Sequence, residues 1–258
     1  MKDPPTIIRD NQTLSTCYQQ LKKNDIICGR IRLKPGEEHL LIDLLERGIR
    51  LIPSATSQMA SRSKTFQASI LSEFMLPGSL PVYDTHALLK ASSIYQRQQY
   101  TRVILKSDRK NAGLGVYVFN SIEDLYNQVC GGGDAFSFPF VIQPFQSNSR
   151  DIRVIILGDY LEAYERINPY NFRKNIHCGG ESVPYTLSGD QLEMCQQVMR
   201  RGGFPYAHLD LMLTSDGDCR LAEINLKGGL KGAQISGRAY QAKLDRIHEE
   251  LLTKLSVS

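Results

Sequence analysis

The sequence predicts an α+β fold, on three observations. Strand-like and helix-like segments interleave through all 258 residues. Segments 151–166 and 207–225 read as long antiparallel hairpins. Hydrophobic residues make up 41 % of the chain and charged residues 22 %, enough apolar matter for a packed core under an ordinary polar surface. The length admits one large domain or two modest ones. A formal charge of +4 is too small to argue for nucleic acid, so no nucleic-acid partner is expected. The six cysteines form no CxxC pair, which removes zinc-finger spacing. The N-terminal MKDPPTIIRD lacks an apolar signal core, and no apolar run approaches the roughly 18–20 residues of a membrane span. The expectation is a reduced, cytoplasmic protein with no membrane partner.

Each element follows from local signals. Residues 12–23 carry a helical pattern, and 25–29 (DIICG) is a short apolar strand. Pro35 opens a helix through Glu46, with Glu37 and Glu38 in its first turn and Gly48 just past its end. A strand at 49–52 closes this α-β-α-β start, residues 1–55, which is small for an independent domain. Residues 57–75 read as one helix carrying Arg62 and Lys64, stopped by Pro77-Gly78. A helix at 84–97, a strand at 102–106, the loop SDRKNAGLG and a strand at 116–119 follow. Ser121 caps the next helix, CGGGD at 130–134 is a connection, and 140–143 is a strand. Ser188 with Gln191 forms a capping box for a helix near 188–200.

The hairpins carry the chemistry. A two-residue turn at Asp216-Gly217 sets Asp210 opposite Glu223 and His208 opposite Asn225, all on one face. Two directly opposed carboxylates repel unless a cation lies between them. With the Asn225 amide oxygen they form a hard-oxygen set suited to Mg²⁺, with Mn²⁺ as a substitute. The alternative is a solvent-facing polar face. On the metal reading, neutralising either acid should leave the fold intact or slightly more stable. His208 reads as a hydrogen-bonding residue rather than a ligand. In the other hairpin a turn at Gly158-Asp159 sets Asp151 opposite Arg166 and Arg153 opposite Tyr164. Ile152, Val154, Ile156, Leu161 and Ala163 take the opposite, core face. Two arginines there suit phosphate or carboxylate groups, or else a surface salt-bridge cluster. In SDRKNAGLG, Gly113 and Gly115 let backbone N–H groups approach a polyphosphate, beside the point charge of Lys106. This is no P-loop, because GKS/T is missing and a strand follows. Segment 171–180, NFRKNIHCGG, pairs a charged run with two glycines.

In this order, these elements resemble the ATP-grasp superfamily, and within it the RimK-like carboxylate–amine ligases. The resemblance is carried by SRSK at 61–64, VILK at 103–106, NAGLGV at 111–116 and VIQPF at 141–145. It continues through DIRVIILGDYLEAYER at 151–166, FRKNIHCGG at 172–180, and LDLML…LAEINLKGGLKG ending at 232. It implies an ATP-grasp fold, two α/β subdomains clasping ATP at about 56–140 and 141–258, behind a truncated N-terminal pre-ATP-grasp region at 1–55. It also implies that Lys106 and Lys64 touch the ATP phosphates, that Gln143, Pro144 and Phe145 hold adenine, and that Asp151 approaches the ribose. Arg173, Lys174 and Asn175 would reach the nucleotide and reacting groups. Asp210, Glu223 and Asn225 would hold Mg²⁺, and Arg153, Arg166 and Arg173 would serve catalysis.

Three departures stand out. The N-terminal region is short, so its share of the substrate site is either missing or completed by a second copy or a protein partner. Pro144 stands where the family often has glutamate. The family's N-x-S-P-G-x-x-G loop reads NLKGGLKG, with Lys227-Gly228 for Ser-Pro and an added Lys231. The implied activity is ATP- and Mg²⁺-dependent joining of a small-molecule or peptide acid, an anionic one given the two lysines, to an amine. The alternatives are a non-catalytic ATP-binding or regulatory module and a phosphotransferase on the same fold.

Overall fold

The computed structural model describes residues 4–110, 114–131, 136–168 and 180–257. Its first region runs β1 (Ile7–Ile8), α1 (Asn11–Cys17), β2 (Ile26–Cys28), α2 (His39–Glu46) and β3 (Arg50–Ile52). The strands pair in parallel, in the order β1-β2-β3. Helix α1 is shorter than its pattern predicts. Arg47 Nη2 donates to the carbonyls of Tyr18 and Leu21 at 3.1 and 2.6 Å, capturing oxygens that further helical turns would use. Helix α2 starts at His39 rather than Pro35. Glu37 and Glu38 accept from the N–H groups of Lys34 and Gly36, so local side-chain bonds hold this stretch in turns.

The predicted helix over 57–75 is two helices, α3 (Ala55–Ala60) and α4 (Lys64–Ile70). The break has an evident cause. Ser63 caps α4 by accepting from Phe66 N, and Asp108 accepts from Thr65 N, so two orphan donors of α4 are satisfied from outside. Beyond it come β4 (Leu80–Val82), α5 (Thr85–Arg97), β5 (Val103–Ser107), β6 (Val116–Phe119), α6 (Ile122–Cys130) and β7 (Phe140–Pro144). Their strands form an antiparallel sheet ordered β4-β7-β5-β6, whose core holds Leu88, Tyr95, Leu105, Leu125, Phe140 and Ile142.

The third sheet is antiparallel, ordered β10-β9-β8-β11-β12. It comprises β8 (Arg150–Leu157), β9 (Tyr160–Ile167), β10 (Glu181–Pro184), β11 (Tyr206–Leu213) and β12 (Cys219–Asn225), with α7 (Gly189–Gly202) and α8 (Gly237–Val257). Apolar residues from α7 and α8 close its core around Ile155, Leu209 and Ile224. Ala60, Ala68 and Leu71 pack into this same core. The chain between the first two sheets is thereby fastened to the third.

The first hairpin turns as predicted: Leu157 pairs with Tyr160 around Gly158, whose φ of +63° suits glycine. The second does not. Its strands end at Leu213 opposite Cys219, and the chain turns through 214–218 rather than through two residues. A bulge between Asp210 and Leu211 then shifts the register by one residue, so His208 still faces Asn225 and Asp210 still faces Glu223.

Buried Gln67 fixes that hairpin from below. Its Nε2 donates to the carbonyls of Ala60 and Ile224, and its Oε1 accepts from Ile224 N. Gln67→Leu should lower unfolding free energy by about 2–3 kcal/mol, because it strands the Ile224 backbone groups without partners. Urea denaturation of the two proteins is the check, and an unchanged midpoint contradicts the assignment.

Candidate active site

Strands β8 and β11 pair with Arg153 opposite Asp210. The two predicted hairpin faces therefore merge into one cross-strand row: Tyr164, Arg153, Asp210, Glu223. Asp151 and Arg166 face each other in an adjacent row. The row is tied by charge. Arg153 grips Asp210 through Nε and, at 3.1 Å, through Nη2. Arg166 Nη2 lies 3.0 Å from Asp210 Oδ2 and donates to Asp151 Oδ1 at 2.7 Å. The Asp210 side chain is 14 % exposed and that of Arg166 7 %. Burial opposes ionisation of Asp210, but the guanidinia of Arg153 and Arg166 outweigh it and hold the carboxyl well below the usual range. Asp151 goes the other way: burial raises it, and Arg166 only partly compensates.

This corrects the expectation about opposed carboxylates. Asp210 and Glu223 are directly opposed, yet each already has its own cations, Arg153 and Arg166 for the first and Lys64 for the second. Neutralising Asp210 therefore strands Arg153 and leaves Arg166 with Asp151 alone, and does not relieve a repulsion.

Lysines reach this face from outside the sheet. Lys64 Nζ, at the start of α4, donates to Glu223 Oε1 at 3.3 Å and to the Lys110 carbonyl at 2.7 Å. It thus bridges the glycine loop and the acidic hairpin. Lys106, near the end of β5, donates to Gln143 Oε1 at 2.7 Å. Burial pushes its ammonium down, against the pull of Glu223. Gly115 closes the loop against Lys110, where a Cβ would lie 2.5 Å from the lysine Cβ. Pro144 ends β7, and Phe145 donates its N–H to the Arg102 carbonyl at 2.9 Å, under the Arg102 guanidinium. Gly113, Arg173, Lys174 and Asn175 lie outside the described residues.

A divalent cation fits the donor set. Asn225 Nδ2 donates to Glu223 Oε1 at 3.0 Å, which leaves Glu223 Oε2 and Asn225 Oδ1 accepting nothing among the described residues. In the strand register Glu223 stands opposite Asp210, and Asn225 opposite His208. Among the described residues no three acidic, histidine or cysteine side chains gather as a metal nest. Two carboxylates and an amide suit a cation that shares its shell with phosphate oxygens.

Two further members complete the site. Tyr240 on α8 bonds His208 Nε2 at 3.0 Å, and Gly228 packs onto His208 and Arg153. The spacing of Tyr240, Leu244 and Ile247 marks the inward face of α8 and would have found the tyrosine. Burial, reinforced by Arg153, lowers His208 to about 4. Lys227 and Lys231 are both exposed.

The chain is similar to known ATP-grasp proteins. The RimK-like ATP-grasp domain matches residues 86–246, more than half of the chain. A probable alpha-L-glutamate ligase of Xylella fastidiosa is 29 % identical over 124 residues, covering 46 % of this chain and 41 % of the relative. Glutathione synthetase of Agrobacterium fabrum is 27 % identical over 164 residues, covering 57 % and 48 %. The chain thus spans less than half the length of either. Among solved structures, D-alanyl-alanine synthetase A from Vibrio cholerae superposes with a TM-score of 0.56 at 16 % identity, covering 91 % of this chain and 76 % of that one. That likeness concerns the fold. No described helix is long and apolar enough to cross a membrane.

Asp210→Asn should destabilise the ligand-free protein by about 3 kcal/mol, because the largely covered Arg153 loses its anion and Arg166 keeps only Asp151. Glu223→Gln, at a side chain 25 % exposed, should change stability by less than about 1 kcal/mol. Chemical denaturation without nucleotide measures both, and an Asp210→Asn protein at least as stable as wild type overturns the account.

Proposed function

The chain belongs to the RimK-like ATP-grasp family, and we propose that it is an ATP-dependent carboxylate–amine ligase acting through an acyl phosphate. One observation carries this reading. Lysines from one side and a paired row of acids and arginines from the other meet at one place, with Lys64 bonded to both the glycine loop and Glu223.

In this reading Lys106 and Lys64 bind the ATP phosphates, Gln143 to Phe145 border the adenine, and Asp151 lies toward the ribose. Arg173, Lys174, Asn175 and Gly113 complete the nucleotide side. A substrate carboxylate oxygen bonds to the γ-phosphorus as the bond to the β,γ-bridging oxygen breaks, giving an acyl phosphate and ADP. An amine then bonds to the carbonyl carbon, loses a proton, and phosphate leaves with the transferred oxygen. Mg²⁺ held by Asp210, Glu223 and Asn225 would neutralise phosphate charge and align the leaving group. The chain's own groups do the rest. The buried ammonium of Lys106 gains anionic partners that Gln143 alone does not supply. Arg153, fixed through Asp210 by Arg166, meets negative charge as it grows on the acyl oxygen. Such chemistry proceeds largely by positioning, and no general base is invoked.

The relatives' names make L-glutamate the first acid and amine to test. A cytoplasmic location is part of the same proposal.

The experiment is ADP release with Mg-ATP against a panel of acids and amines. The ligase reading predicts release that needs both substrates, and a hydroxamate when hydroxylamine replaces the amine. Nucleotide binding with no release under any pair would favour a binding module instead. A stable phosphorylated product that hydroxylamine leaves intact would favour phosphotransfer. Lys106→Met should weaken ADP binding by about tenfold or more in calorimetry, the loss of roughly 1.4 kcal/mol. It should leave the ligand-free melting temperature unchanged or raised. Unaltered ADP affinity would remove Lys106 from the phosphate site.

A further inference from the structure

His208 is 1 % exposed, and its Nδ1 has no hydrogen-bond partner among the described residues. Buried polar atoms in folded proteins are nearly always satisfied, so an orphan beside a reaction site calls for a reason. Its other ring nitrogen lies 3.0 Å from Tyr240 Oη, and Tyr240 is itself 3 % exposed. The hydrogen-bond count selects the tautomer of the neutral ring. If the tyrosine accepts from Nε2–H, both the phenolic proton and the Nδ1 lone pair are left unsatisfied. If the tyrosine donates to Nε2, only one group is left, an Nδ1–H donor. The second arrangement strands fewer buried groups.

That donor has a neighbour of the same kind. Arg153 spends Nε and Nη2 on Asp210, and its Nη1 makes no hydrogen bond among the described residues. Nη1 and His208 Nδ1 converge on the loop after β12: a Cβ built on Gly228 would lie 2.6 Å from Nδ1 and 2.7 Å from Nη1. No side chain can stand at that position, whereas a glycine backbone rests on both donors.

We infer that His208 Nδ1–H and Arg153 Nη1 form a two-donor seat for a substrate carboxylate oxygen, covered by the loop at Gly228, which lifts to admit it. The ligase reading enters only in saying which molecule brings that oxygen. Tyr240 is a positioning residue that holds the imidazole tautomer. The exposed lysines of the same loop are not part of the seat; selection for a carboxylate is made by His208 and Arg153.

The test separates the two ring nitrogens. Asparagine carries an amide donor near the place of Nδ1, and glutamine reaches the place of Nε2. L-Glutamate and succinate serve as probes, titrated in the presence of ADP into protein labelled at its five histidines and followed by nitrogen NMR. The His208 signals are assigned by their loss in the variants. The seat predicts that the probes shift the His208 Nδ1 signal. It predicts that His208→Asn binds them within about threefold of wild type, and that His208→Gln binds them at least about tenfold more weakly. ADP affinity should hold in both, and the melting temperature should fall in His208→Asn, which takes the partner of Tyr240 Oη away, more than in His208→Gln. Gly228→Ala, which fills the seat, should weaken the probes as His208→Gln does. The inference fails if neither probe moves the His208 signal, if His208→Gln binds as wild type, or if a folded His208→Asn loses as much as His208→Gln. A protein that binds the probes through His208 yet releases no ADP with any acid and amine refutes the ligase reading and leaves the seat standing.

Discussion

Asp210 is a buried carboxylate with two arginines on it, and much of the site follows from satisfying that one charge. An isolated carboxylate in this interior would take up a proton. Arg153 from the neighbouring strand and Arg166 from the strand beyond keep it ionised, and Asp151 balances Arg166 in turn. Such a chain of charges is stabilising only as a complete set, because removing one member leaves the others buried and unpaired. It also fixes register. A slip of one residue between β8 and β11 would turn Arg153 to the core face and leave Asp210 without its partner.

The same constraint explains where Lys64 ends. Glu223, next in the row, is not served by the arginines and takes Lys64 from outside the sheet. Lys64 can reach it because α4 starts afresh at Ser63, and α4 starts there because Asp108 and Ser63 cap it. Gln67, one turn further on, clamps the backbone between Glu223 and Asn225. Helix break, clamp and lysine bridge thus form one mechanical unit, which holds the acids and the glycine loop at a fixed separation.

Much of this was legible in the sequence, and the remainder has identifiable causes. The pairings within each hairpin could be read because turn residues and strand alternation are local signals. For β11 and β12 the inferred two-residue turn was wrong, and the bulge beside Asp210 restored the same partners at the open end. The pairing of β8 with β11 joins distant segments, Arg153 with Asp210 among them, and no local pattern announces it. Arg153 and Arg166 could therefore be marked as anion-binding groups but not assigned to Asp210. The split of 57–75 into α3 and α4 depends on Asp108, again a distant partner. Helix α8 carries a weaker local signal than the hairpins, and its Tyr240 meets His208 only through the tertiary fold.

The central claim is that a carboxylate is activated by phosphorylation and then captured by an amine. It is tested most directly by the fate of the carboxylate oxygens. The chain is incubated with Mg-ATP, an amine, and the supporting acid labelled in its carboxylate with heavy oxygen, and the released phosphate is weighed by mass spectrometry. The account predicts that each product formed delivers a single labelled oxygen to phosphate. Amide formation accompanied by phosphate free of label would contradict it.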